Sequence, residues 1–289
     1  MRRGSFPTIL GYWSAIPFSN IGKVDNKGFE LAVVWNTNIN KELHVEVRGN
    51  LTYNQNKYVY VDDPDYPYVW QTRTGKPLSH CIGYIAEGLF KSEEEIRLHA
   101  DQSGLGSTPM VGDIKYRDVN GDGKITTEDR VMISEYGSLP RMQYGIGVNL
   151  TWKKLDFGVF FNGSAKIKKI LQGFQPFHAN NSSQRTVMQW VADSYWAESN
   201  PDANASFPRL GLSESDDANN QPSSTFWLRD FSFLRWKTLE IGYSFRHCRL
   251  YFSGDNLAVF SPFKYWDPEI WWNSYPLQRT FNIGVQIKI

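Results

Sequence analysis

The 289-residue chain carries 31 Lys and Arg against 30 Asp and Glu, a formal net charge of +1, with 41 % hydrophobic residues. That balance leaves no polyanion-binding footprint, so nucleic acid is not an expected partner. Aromatic residues make up 15 %, including 11 Trp, yet no run reaches the roughly 18 apolar residues of a membrane helix. Membrane-crossing β-strands contain no such run, because only alternate residues meet lipid. Met1-Arg2-Arg3 is followed by no apolar stretch of the signal-peptide kind. Cys81 and Cys248 are far apart in sequence, and two inert thiols are expected rather than a disulfide.

Residues 1–27 read as loop. From Phe29 apolar residues recur at every second place: Phe29, Leu31, Val33, Trp35. After a polar turn, Leu43, Val45, Val47, Gly49, Leu51 and Tyr53 alternate with His44, Glu46, Arg48, Asn50, Thr52 and Asn54. Strict period two over this length predicts a strand with one apolar and one wet face. Residues 57–140 form a long excursion with a strand pair expected around Leu78 to Phe90 and a helix starting at Ser92, which caps it with Glu95 three residues on.

Within that excursion, Asp118-Val-Asn120-Gly-Asp122-Gly123-Lys124-Ile-Thr126-Thr-Glu-Asp129 has the spacing of a twelve-residue calcium loop. Asp118, Asn120 and Asp122 supply side-chain oxygens, and Gly123 permits the sharp turn. Lys124 offers its carbonyl, Thr126 a hydroxyl or held water, and Asp129 closes the shell. Asp rather than Glu at the last position leaves Ca²⁺ and Mg²⁺ both open. The approach, Ile114-Lys115-Tyr116, reads as strand, so this is a single loop and no EF-hand pair; an Asx-rich turn without metal is the plainer alternative.

Alternation resumes at Met142, Tyr144, Ile146, Val148, Leu150, Trp152, and after Lys153-Lys154 at Leu155, Phe157, Val159, Phe161. Residues 166–228 are a second excursion with one helical stretch near Thr186 to Trp196, whose apolar side (Val187, Trp190, Val191) is expected to pack the loop. Phe231 to Phe245 is a strand with Leu234 and Trp236 out of phase, which predicts a bulge. A strand from Leu250 to Leu257, a Trp- and Tyr-rich loop at 260–278, and a last strand ending Phe281, Ile283, Val285, Ile287, Ile289 complete the chain.

Connections alternate between short (37–42, 153–154, 246–248) and long (57–140, 166–228, 260–278). Trp35, Trp152 and Phe245 fall beside short turns; Tyr53, Tyr144, Phe161, Phe231 and Phe281 fall near long ones. Unequal loops and two aromatic bands are features of an outer-membrane β-barrel. The expected fold class is therefore all-β: an antiparallel transmembrane β-barrel segment of about seven spanning strands, with long extracellular loops containing short helices. So few strands leave open edges in lipid, which predicts that the barrel continues beyond this chain.

GDIKYRDVNGDGKITTEDR, LRDFSFLRWKTLEIGYSF (Leu228 to Phe245), LYFSGDNLAVF (Leu250 to Phe260), DPE (Asp267 to Glu269) and NIGKVDNKGFEL (Asn20 to Leu31) together resemble the C-terminal third of a SusC/RagA-type TonB-linked outer-membrane protein of the Bacteroidetes kind. The resemblance implies a barrel of about 22 strands, an energy-coupled plug, a SusD-like surface lipoprotein, and import of an oligosaccharide or peptide. The family's signal peptide, TonB box and plug have no counterpart here, so residues 1–289 read as the C-terminal part of the barrel. Contact with the TonB complex would run through the missing plug, and transport by this piece alone is not expected. Asn282, Gly284, Ile287 and Ile289 resemble the signal read by the barrel assembly machinery, with Ile289 where an aromatic is usual.

Trp266, Trp271 and Trp272 in the last loop form a candidate platform for sugar rings or a partner, beside the plainer reading of loop self-packing. No HExxH, GxSxG or P-loop occurs, and Gly145-x-Gly147 lies mid-strand with no helix after it. Catalysis is not expected. A soluble secreted β-rich carbohydrate-binding module with a calcium-stapled loop is the competing expectation.

Overall fold

The computed structural model describes residues 22–171, 187–202, 204–211, 216–270 and 274–287. Seven long strands stand side by side in chain order, each antiparallel to the next: β1 (Gly22–Asn38), β2 (Leu43–Val61), β3 (Met142–Trp152), β4 (Leu155–Ala165), β5 (Phe233–Ser244), β6 (Cys248–Phe260) and β7 (Thr280–Ile287). Each connection returns the chain beside the strand it left, so the sheet is a meander and needs no crossover. The other paired strands among the described residues form three two-stranded sheets of three or four residues a strand, too small for the second layer of a sandwich. No described helix is long and apolar enough to cross a membrane.

Register puts the alternating residues where period two demands. Leu51 faces Tyr144, Val47 faces Val148, Ile146 faces Phe161 and Ile241 faces Phe157, all on one side. Arg48, Gly147, Phe160 and Thr238 share the other. The apolar side is bare: Leu31, Ile146, Trp152, Ile241, Leu250 and Ile283 are all exposed. In water that pattern would be inside out.

At one end the short turns interlock. Lys153 N–H bonds the Glu42 carbonyl (2.9 Å), and Ser244 N–H bonds the Lys154 carbonyl (2.7 Å). Lys153 takes a positive φ of 55°, as a two-residue hairpin requires. The predicted bulge is present: the pairing of β5 jumps between Trp236 and Thr238 on both sides, so Lys237 is the extra residue. Its effect is to return Trp236 to the apolar side, where its ring stacks 5.7 Å from Phe161.

Two boundaries differ from the sequence reading. β1 begins at Gly22, not Phe29, and β2 runs on to Val61. Residues 22–28 and 54–61 pair with each other as an arm beyond the β2–β3 ladder, where Tyr58 also exchanges backbone bonds with Gly75 and Lys76. The arm lacks a buried face, so its residues show no alternation to read.

At the opposite end the long connections fold together as a cap. Its core draws Leu89, Ile114 and Tyr116 from the first, Val191, Phe207 and Trp227 from the second, and Phe263 from the third. The strand pair expected within Leu78 to Phe90 does not form. Cys81–Gly83 pairs with Val131–Ser134, and Ala86–Leu89 pairs with Ile114–Tyr116. Helix α1 (Glu93–Leu98) is capped as expected, with Ser92 Oγ accepting from Glu95 N–H at 3.2 Å. Helix α2 is shorter than its periodicity suggested, Gln189–Ala192, and buries Val191 completely. Cys81 lies in the cap and Cys248 starts β6 at the short-turn end; both are free thiols.

Candidate functional site

The polar side of the sheet carries organised chemistry. Phe160 is its unexpected member, an aromatic among Asn, Thr and Gly. Its ring lies over Gly145 and Gly147, where a Cβ would meet it at 3.1 and 3.2 Å. That explains glycines in mid-strand, as an aromatic covering the gap they leave. The Arg48 guanidinium sits 5.8 Å from the ring centroid, in cation–π range. Nearer the short turns, Arg249 bridges Asp156 and Glu240 across three strands. Its guanidinium also stands 5.2 Å from the Tyr251 ring, which covers Gly284 on β7.

The predicted ion loop is folded on itself. Asp118 accepts from Gly121 N–H (2.7 Å) and Gly123 N–H (2.8 Å), one on each oxygen. Asn120 Oδ1 accepts from Asp122 N–H (3.1 Å), and Asp122 Oδ1 from Lys124 N–H (2.8 Å). Asp129 is fully buried and accepts from Val119 N–H and Thr126 N–H, both at 2.8 Å. Thr126 caps the 3₁₀ turn Thr127–Asp129. Gly121 and Gly123 hold φ of +76° and +80°, a region few other residues occupy. Among the described residues no three His, Cys, Asp or Glu side chains are grouped as metal ligands. The donors are nonetheless all oxygens; each carboxylate oxygen of Asp118 and Asp122 holds one N–H and retains a second lone pair, while Asp129 Oδ1 already accepts from both Val119 and Asn120 N–H. That donor set suits a hard cation.

The loop is also wired into the cap. Trp70 Nε1 donates to the Glu128 carbonyl (2.9 Å), Asn120 Nδ2 donates to the Tyr68 hydroxyl (3.2 Å), and the two rings stack at 4.5 Å. Deeper in, the two large excursions are joined by polar groups that sequence reasoning missed. Arg209 Nε lies 2.6 Å from Asp113 Oδ1, Asn220 Nδ2 donates to the same oxygen (2.8 Å), and the Ile114 N–H donates to Asn220 Oδ1 (2.8 Å). Burial pushes the Asp113 carboxyl above its ordinary range, against the pull of Arg209, the Met110 N–H and the Asn220 amide. Arg235 pairs with Asp267 (2.6 Å) and Glu269 (2.8 Å), fastening the DPE segment to β5. These partners lie far apart in sequence, and no local spacing announces them.

Of the aromatic trio, Trp266 packs partly against the cap core and donates its indole N–H to the Ser274 carbonyl (3.2 Å). Trp271 and Trp272 lie outside the described residues. On β7, Asn282 faces Ser253, Gly284 lies beneath Tyr251, and Ile287 is exposed on the apolar side. Ile289 is outside the described residues.

Comparison with known proteins bears on what this arrangement belongs to. No family model matches the chain. It is 28 % identical to TonB-dependent receptor P26 of Formosa agariphila along 98 % of its own length. It is 25 % identical to TonB-dependent receptor SusC of Bacteroides thetaiotaomicron along 93 %. The chain is a homologue of TonB-dependent receptors of the SusC kind. It spans 31 % of the Formosa receptor and 27 % of SusC, about a third or less of each. In fold, the RagAB peptide transporter superposes on 98 % of the chain with a TM-score of 0.66 at 19 % identity, covering 31 % of that structure. The sheet and cap thus share the fold of part of that transporter structure.

Proposed function

We propose that the chain is the C-terminal part of the barrel of a TonB-dependent outer-membrane importer of an oligosaccharide or peptide nutrient. The observation that supports it most is the single sheet whose exposed side is apolar from β1 to β7 while its polar side is built. Only lipid makes that arrangement favourable. The interlocked short turns then face the periplasm and the cap faces outward. The resemblance to SusC supports a SusD-like lipoprotein over the cap, energy input from the TonB complex through a plug, and insertion by the barrel assembly machinery acting on the last strand. In cells, the chain with its flanking barrel should fractionate with the outer membrane, and uptake should stop when the proton-motive force is dissipated. Recovery as a water-soluble periplasmic protein contradicts the reading.

Loop 118–129 holds a divalent cation, calcium or magnesium, as a clamp on the first excursion. Asp118, Asn120, Asp122, Asp129, the Lys124 carbonyl and Thr126 are its ligands. Through Trp70 and Tyr68 the clamp steadies the 62–76 segment. Chelation should raise protease cleavage within residues 57–140, and Asp122→Ala should do the same without a chelator. If both treatments leave the digestion pattern unchanged, the loop is a metal-free turn.

A further inference from the structure

Between the polar side of the sheet and the underside of the cap lies a cavity of about 460 Å³. Its floor is Phe160, seated on the glycines of β3. Around the ring stand three carboxamides, Asn50, Gln143 and Asn162, with the hydroxyls of Thr52 and Ser164. Asn162 Oδ1 is buried and has no hydrogen-bond partner among the described residues. A buried acceptor is unfavourable without a donor, so Asn162 Oδ1 offers a hydrogen bond to a group from outside the described residues.

We infer that this cavity is a binding subsite for a neutral, polyhydroxylated ring, an oligosaccharide unit rather than an acidic sugar or a peptide. Each carboxamide both donates and accepts, which matches a hydroxyl that does the same. The Phe160 face offers an apolar surface for the C–H face of a ring. Recognition of an acid would call for a free guanidinium fork. The one cation lining the cavity among the described residues, Lys169, has its ammonium over the Phe231 ring, Arg235 is held by Asp267 and Glu269, and Arg48 is stacked on Phe160. Recognition of a peptide by strand addition needs an open edge. The strands that line the cavity, β2 to β5, are all interior to the sheet and paired on both sides.

This assignment rests on the importer reading and decides between its two nutrients. The test is titration of the chain together with its flanking barrel, purified in detergent, with mannohexaose, maltohexaose, hexagalacturonate and a Gly-Ser hexapeptide, followed calorimetrically. A neutral hexasaccharide should bind at least tenfold more tightly than the acidic sugar or the peptide. Asn162→Leu should weaken it by about tenfold, as the loss of one or two hydrogen bonds implies. Ser253→Ala, on the same side of the sheet but outside the cavity, should not. Heat-modifiable gel mobility confirms that each variant is folded; if Asn162→Leu is not, Asn162→Asp is read in its place. Preference for hexagalacturonate or the peptide, binding of none of the four, or equal affinity in the Asn162 variant overturns the subsite. Uptake by cells separates the two claims. Neutral-sugar binding without energy-dependent uptake sinks the importer alone, whereas uptake untouched by Asn162→Leu sinks the subsite alone.

Discussion

The sheet and the cap obey opposite rules within one chain. In the cap, Trp227, Phe207, Tyr116 and Ile114 are buried against one another. In the sheet, Leu31, Ile146 and Ile283 are exposed and Arg48, Asn149 and Asp156 line the polar side. A core is worth building only where water is the alternative. The cap therefore has an interior that defends itself, and the sheet borrows its surroundings as the missing half of its core. The same difference separates their polar groups. Asp113, Arg209 and Asn220 lock each other inside the cap, while the amides on the sheet's polar side stay addressed to a cavity.

That contrast can be broken first in the cap. Trp227→Ala removes a fully buried side chain whose Nε1 donates to the Asn220 carbonyl at 2.7 Å. It should cost about 3–5 kcal/mol and open the cap to protease while the sheet keeps its detergent-resistant fold. Next, Ile146→Lys puts a charge mid-strand on the apolar side. Insertion into a bilayer should weaken by about 2–4 kcal/mol, seen as a lower urea midpoint in lipid. In a water-filled setting the same change would be neutral or helpful, so its sign is informative. The smallest effect is expected at Ser92→Ala, which removes the α1 cap. About 1 kcal/mol or less of local stability should be lost, read by faster amide exchange at Glu95 with none in β2 to β6.

How far the sequence could be read follows the same divide. The sheet was legible because each strand has a bare side and a wet one, and period two survives in the letters. Even the bulge showed, as Leu234 and Trp236 out of phase with Leu239 and Ile241. The hairpin arm was not legible, since Gly22 to Gly28 has neither side buried. The cap was mostly hidden, because its pairings are non-local. Leu78 to Phe90 looked like two strands that would meet, but each found its partner beyond residue 113. The ion loop could be located and its turn foreseen, because its hydrogen bonds all close within twelve residues. The subsite could not: Gly145-x-Gly147 stood out only as a glycine pair with no helix after it, and only register puts the Phe160 ring on those glycines.

The most direct measurement places single cysteines on each side of the sheet, at Ile146 and Ile241 on one and at Arg48 and Asn149 on the other, after Cys81 and Cys248 are replaced by Ser. A fluorophore is attached at each site in protein reconstituted into vesicles, and brominated acyl chains serve as the quencher. Quenching should be strong at 146 and 241 and weak at 48 and 149. Equal quenching on both sides, or none at 146 and 241 with water-soluble quenchers reaching them freely, would contradict a sheet that stands against lipid.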